Sequence, residues 1–162
     1  AGGGLPPAAA RNKGGNIMQN LNFDDGYKEY TINNDPSRVI RFNPSDFSII
    51  ERIKTAYDEI DKVTQIDEDI ELKADGTPVD ELGRAAEIVT RINNKIKDMI
   101  DYIFNSQVSD KVFGKQSPLS IVKGRPLWQG FLECIEPVLK SEIKKAQEES
   151  QKRISKYTKQ VK

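Results

Sequence analysis

Histidine is absent from this chain of 162 residues, and cysteine occurs once, at Cys134. The lack of histidine excludes every catalytic triad or metal site that needs an imidazole, and it removes the commonest general base. A single thiol excludes an internal disulfide and any zinc site built from several thiolates. No apolar run approaches the roughly 20 residues of a transmembrane helix. We therefore expect a soluble, intracellular protein with no membrane contact.

Apolar residues are nevertheless abundant enough for a core. Leucine, isoleucine, valine and phenylalanine together supply a quarter of the chain, which is above the level expected of a disordered protein. Residues 1–17 differ, because glycine, alanine and proline fill 11 of these 17 positions. We interpret residues 1–17 as a flexible leader derived from an expression tag, with a native flexible arm as the alternative. Residues 18–145 are predicted to form one domain.

The charges of the chain are distributed unevenly along it. The totals balance, at 25 basic and 25 acidic side chains, but residues 18–110 hold 11 basic and 20 acidic ones. Residues 140–162 hold 8 basic and 3 acidic side chains. This distribution predicts an acidic body followed by a basic C-terminal segment.

Two short β-rich runs, at residues 27–32 and 37–42, predict an N-terminal hairpin. They flank a turn of about four residues at 33–36, where Pro36 must lie at the turn or at a strand start because it has no N–H. A lone hairpin is only marginally stable in water, so we expect it to pack on helices or to gain a third strand. Residues 19–23 are the candidate for that strand.

Helical patterns dominate the rest of the chain. Asn43 and Pro44 predict the cap and first position of a helix that ends near residue 65, and Thr77 with Pro78 predicts the start of a second helix that ends near Phe104. The apolar stripe of the second helix can be covered either by the rest of the chain or in part by a second subunit, so a homo-oligomer is an alternative to a monomer. An acidic connector at residues 66–76 lies between these helices.

Shorter helical pieces are expected at residues 109–113 and 117–124. A third long helix is predicted from about Arg125, with Pro137 as a kink or break. The expected fold class is mainly α (α+β), an N-terminal β-hairpin packed on a bundle of about three long helices with an extended C-terminal helix. Residues 146–162 are predicted to form a projecting basic helix or tail, because this stretch favours helix but has few apolar residues.

No motif for catalysis, a cofactor or a metal emerges. A calcium loop starting at Asp67 fails, since Leu72 occupies the position that needs glycine and Pro78 the position that needs glutamate. Gly114 and Lys115 lack the remaining residues of a phosphate loop. Neighbouring carboxylates such as those at 58, 59 and 61 are interpreted as surface pairs with lysines, for example with Lys62. We predict a protein that is not an enzyme and has no cofactor and no metal.

Three side chains of the third long helix are interpreted as structural. Cys134 has no evident cation nearby to stabilise a thiolate, so a buried, unreactive thiol is favoured. Trp128 and Phe131 are assigned to the core rather than to a binding site.

The basic C-terminal segment is the candidate binding surface. Glutamates interrupt its cations and it has one aromatic side chain, so protein docking is favoured over nucleic acid, and a membrane is favoured least. The predicted partner-binding residues are Lys144, Lys145, Lys152, Arg153, Ile154, Lys156 and Tyr157.

Two blocks of sequence carry a family resemblance. The first is residues 41–52 (RFNPSDFSIIER), where a predicted strand ends and a helix begins. The second extends from residues 109–114 (SDKVFG) to residues 131–137 (FLECIEP). Together with the long helix between them, they resemble tail assembly chaperones of phages and prophages of low-GC bacteria. The chain has 18 isoleucines but 8 leucines, which agrees with an AT-rich coding sequence.

The resemblance implies a mostly helical, non-enzymatic protein in the cytoplasm of the bacterial host. Such a chaperone binds an elongated phage tail protein, such as the tape measure, and keeps it soluble during assembly. The alternatives are a structural phage component, for tail completion or head–tail joining, and, less favoured, a nucleic-acid-binding regulator that uses the basic helix.

Overall fold

The computed structural model of the chain describes residues 17–65 and 81–160. Its elements, in chain order, are β1 (Lys28–Ile32), β2 (Asp35–Phe42), α1 (Ser48–Thr64), α2 (Glu81–Phe104), α3 (Ser109–Phe113), β3 (Ile121–Val122), β4 (Arg125–Pro126) and α4 (Leu127–Gln160). The predicted mainly α (α+β) fold is confirmed. Three predicted segments lie outside the described residues: residues 1–16 of the leader, the acidic connector, and the start of the second helix.

The predicted N-terminal hairpin is confirmed, with a shorter turn. Asn33 and Asn34 have φ angles of 51° and 60°. Two consecutive residues with positive φ form a two-residue turn that matches the twist of the strands, and asparagine tolerates this conformation. The prediction of a third strand at residues 19–23 is wrong. Leu21 and Phe23 are 89% and 81% exposed, so no apolar surface holds that segment against the sheet.

The first helix begins later than predicted, because the residues before it form turns. The side-chain oxygen of Asn43 accepts the Ser45 N–H at 2.8 Å. The carboxylate of Asp46 then accepts the Ser48 N–H at 2.9 Å. Asparagine and aspartate commonly stabilise turns in this way. Asn43 therefore organises the turn that leads into α1, and the helix itself starts at Ser48.

Helix α2 ends at Phe104, close to the predicted position. Asn105 has φ of 50°, and the N–H of Ser106 donates to the Asp101 carbonyl at 3.1 Å, which is a left-handed helix termination. The carboxylate of Asp101 accepts the N–H groups of Val108 and Ser109 at 2.8 and 2.7 Å. One residue near the end of α2 thus caps the start of α3, which confirms the predicted helical turn at 109–113.

Between α3 and α4 the chain forms a second, very small hairpin, and the prediction of a helical piece at 117–124 is wrong. Strands β3 and β4 pair antiparallel across Lys123 and Gly124, whose φ angles are 52° and 80°. Glycine adopts this conformation without steric cost. The glycine that appeared to end a helix is therefore the second residue of a hairpin turn.

Helix α4 passes through Pro137 without interruption, so a break at this position is excluded. A proline inside a helix removes one hydrogen bond and costs about 3 kcal/mol. Leu132 and Ile135 before the proline and Leu139 after it are all buried in the core. Their packing holds both sides of the proline in one helix.

One hydrophobic core joins the hairpin to the helices. The Phe42 ring lies 4.9 Å from the rings of both Tyr30 and Phe104, and the Phe104 ring lies 6.0 Å from that of Phe131. Trp128 is buried and packs edge-on against Tyr57, which confirms its assignment to the core. In the described parts of the chain, no helix combines the length and apolar character needed to cross a bilayer.

Candidate protein-docking surface

Helix α4 divides into a packed half and an exposed half. Its 34 residues begin with a stretch whose apolar side chains reach the core, ending at Ile143, which packs against the core as a partly buried side chain. From residue 144 to residue 159, every side chain except the half-buried Ala146 is exposed. We call residues 144–159 the exposed half of α4.

An ion pair marks the boundary between the two halves. Lys28 Nζ at the start of β1 lies 3.0 Å from Glu142 Oε2. The hydrogen bond to Glu142 raises the pKa of Lys28 above its ordinary value, and the same bond lowers the pKa of Glu142. Lys145 Nζ lies 3.8 Å from the other carboxylate oxygen of Glu142. The pair between Lys28 and Glu142 therefore connects the hairpin to the last packed turn of α4.

All of the predicted partner-binding residues lie on the exposed half of α4. Ile154 and Tyr157 are 54% and 63% exposed, although their side chains are large and apolar or aromatic. Among the residues that the structure describes, four of the predicted cations have no carboxylate within 4 Å: Lys144, Lys152, Arg153 and Lys156. The surface therefore offers unneutralised positive charge beside apolar area. Its assignment to a partner stays a prediction.

A second surface feature is an apolar groove of about 300 Å³. Its walls come from the β1–β2 hairpin, the β3–β4 hairpin and the N-terminal half of α4, and they include Tyr30, Ile32, Val122, Phe131 and Cys134. Burial raises the pKa of the Tyr30 hydroxyl above its ordinary value.

The groove corrects the prediction that Cys134 is buried, and it is a feature that the sequence pattern did not predict. Cys134 is not buried as predicted: it is exposed and lines the groove. The groove was not predicted from the sequence, because one of its walls is the β3–β4 hairpin and residues 117–124 were predicted to be helical. Lys123 and Gly124, which form the turn of that hairpin, were the residues that could have indicated it.

Two of the three predicted carboxylates of α1, Asp58 and Glu59, form ion pairs with lysines, whereas Asp61 has no cation within 4 Å among the described residues. Asp58 pairs with Lys54 at 2.8 Å, and not with Lys62. Glu59 lies 3.1 Å from Lys62 and 3.2 Å from Lys95, and hydrogen bonds from both lysines lower its pKa. No group of three potential metal ligands occurs within residues 17–65 and 81–160.

The chain was also compared with known proteins. Family models, curated proteins and solved structures yield no match to it.

Proposed function

We propose that this protein is a non-enzymatic tail assembly chaperone or adaptor of a phage or prophage. It binds a tape-measure-like or other tail protein in the host cytoplasm during morphogenesis. The resemblance in residues 41–52 and 109–137 supports this proposal. The observation that carries it is the exposed half of α4, which continues for about four turns beyond the last residue packed on the core.

A helix that extends from a folded body without contacts is well suited to capture of another chain. The exposed half presents Ile154 and Tyr157 to solvent, and burial of such side chains against a partner is favourable at about 25 cal/mol per Å². Its surrounding charges keep the free helix hydrated and accelerate encounters with a partner of opposite charge. Both properties favour reversible binding over permanent assembly.

Co-expression tests the proposal. The chain is produced together with the long coiled-coil tail protein that the proposal expects to be encoded beside it, and the soluble fraction of that tail protein is measured with and without the chain. We expect the chain to raise this fraction and to co-purify with the tail protein. A tail protein that stays insoluble and does not co-purify overturns the proposal.

Mass spectrometry of purified particles separates the chaperone from a structural component. A chaperone is absent from finished particles, whereas a tail-completion or head–tail joining subunit is present in stoichiometric amounts.

A nucleic-acid-binding regulator is tested by a gel shift at low salt, since binding through phosphates weakens steeply as salt rises. A strong, salt-sensitive shift combined with no effect on the tail protein favours the regulator.

A further inference from the structure

A stripe of defined spacing begins at Ile143, the last packed residue of α4, and continues along one side of the exposed half. Ile143, Gln147, Ser150, Ile154 and Tyr157 follow one another at alternating intervals of four and three residues. This is the spacing at which side chains line up along the seam between two helices packed as a coiled coil. We call these five residues the α4 stripe.

The α4 stripe continues a face of the same helix that already packs on other elements. Leu132, Ile135 and Leu139 are buried in the core and precede Ile143 at similar intervals of three and four residues. A helix places residues at such intervals on one side. The side of α4 that packs within the body therefore extends, without a change of direction, into a half that has no packing partner in the described chain.

The positions that flank the α4 stripe carry positive charge and no negative charge. In the repeat defined by the stripe, the flanking residues within the exposed half are Lys144, Ala146, Gln151, Arg153 and Thr158. The glutamates of this half, Glu148 and Glu149, lie farther round the helix. Flanking charges determine which helix a coiled-coil seam accepts.

We infer that the α4 stripe docks an amphipathic α-helix whose own apolar stripe is flanked by aspartate or glutamate. This inference rests on the proposed capture of a tail protein and specifies the chemistry of the captured segment. Lys144 and Arg153 have no ion-pair partner among the described residues, so carboxylates of the incoming helix would meet them without breaking an existing pair. A second copy of this chain is a poorer fit, because its stripe has no flanking carboxylate.

A pair of designed peptides tests this inference on the chain described above. Each is about 21 residues long, three heptads, with leucine at the seam positions. One peptide carries glutamate at the flanking positions and the other carries lysine. Fluorescence anisotropy of the labelled peptides measures the affinities. We expect the glutamate peptide to bind about tenfold or more tightly than the lysine peptide at low salt, with a smaller preference at high salt.

Charge variants test whether the residues that flank the α4 stripe cause the preference for the glutamate peptide. The double variant K144E/R153E is expected to reverse the preference between the two peptides. The control K115E/K159E changes the net charge by the same amount at two exposed lysines outside the predicted partner-binding residues and the flanks of the stripe, and it should keep the preference for the glutamate peptide. Equal binding of both peptides by the unmodified chain, or equal effects of the two double variants, overturns the inference.

Seam variants test the apolar part of the contact. I154D places a charge in the α4 stripe and should abolish binding, whereas S155D places the same charge one residue away and should leave binding within about twofold. Circular dichroism confirms that both variants keep their helix content.

Two further results would overturn the inference. Failure of both peptides to bind, with capture of the tail protein intact, rejects this stripe as the docking site and leaves the proposed function standing. A dimer in sedimentation velocity that I154D dissociates identifies a second copy of the chain as the occupant.

Discussion

Lys28 and Glu142 form an ion pair that connects the first residue of β1 to the last packed turn of α4. The two residues are 114 positions apart in the chain, and their side-chain nitrogen and oxygen lie 3.0 Å apart. Glu142 is the more enclosed partner, with 17% of its side chain exposed, whereas 52% of the Lys28 side chain is exposed. The pair lies where α4 leaves the body, next to Ile143, the last residue of the helix that packs on the core.

The first prediction concerns the pH dependence of this contact. The lowered pKa of Glu142 makes its contribution to stability present above the ordinary carboxyl pKa of 4.5, and that contribution is lost as the pH falls through the lower pKa of the folded state. The raised pKa of Lys28 makes its contribution present below 10.5 and lost as the pH rises through the higher folded-state pKa. We therefore expect E142Q to lower the Tm at neutral pH and to have less effect at acidic pH.

Thermal melts from acidic to neutral pH measure this difference between E142Q and the unmodified chain. E148Q is the matched control, since Glu148 is exposed and no described cation lies within 4 Å of it. The same drop in Tm for E142Q at every pH would show that the ion pair is not its cause.

The second prediction concerns the cap that Asp101 provides for α3. D101A leaves the N–H groups of Val108 and Ser109 without their acceptor, and we expect it to reduce the free energy of unfolding by about 1–2 kcal/mol. D101N keeps one oxygen acceptor and should lose less. Urea denaturation measures both variants. A control on the same helix is D98A, because Asp98 is exposed. Equal losses for D101A and D98A would contradict the capping role.

The third prediction concerns Pro137. P137A restores a backbone donor inside α4, and alanine is the best helix former, so we expect the free energy of unfolding to rise by about 1–3 kcal/mol. Pro137 is exposed, and its replacement therefore removes little packing. E136A, at the exposed neighbouring position, is the control. A P137A variant no more stable than E136A in urea denaturation would mean that the surrounding helix has already compensated for the missing donor.

The fourth prediction concerns the core face of α2. Ile100 is fully buried, so I100A creates a cavity and should lower the free energy of unfolding by about 2–5 kcal/mol. Leu82 on the same helix is 84% exposed, and L82A should change this free energy by less than about 0.5 kcal/mol. Chemical denaturation of both variants tests the assignment. Equal losses would indicate that Leu82 packs against something in solution.

Local sequence patterns correctly predicted those elements in which the spacing of apolar residues matches the structure that forms. The isoleucines of α2 recur at helical spacing, and Ile96, Ile100 and Ile103 are all buried as that spacing requires. The hairpin followed from alternation on both sides of the two asparagines. These predictions depend on interactions between residues close in sequence, and they succeeded for that reason.

The errors occur where distant contacts override a local signal. Of the two outcomes predicted for Pro137, a kink or a break, the break is wrong: α4 continues because core packing on both sides outweighs the lost hydrogen bond. Leu21 and Phe23 alternate like a strand, but both side chains are exposed and their segment belongs to neither sheet of the described residues. Asp101 caps a helix that begins eight residues after it, a role visible only once α2 has ended and the chain has turned.

Some properties of the candidate docking surface could likewise be predicted from the sequence, and others only from the structure. By itself the sequence determined that the C-terminal segment is basic, helix-forming and poor in apolar residues, because composition and spacing are local properties. Only the tertiary structure decided where that segment leaves the body, because this depends on which residues of α4 reach the core, and Ile143 is the last that does. It also decided that the core-facing side of α4 continues into the α4 stripe, since only folding determines which side of a helix is buried.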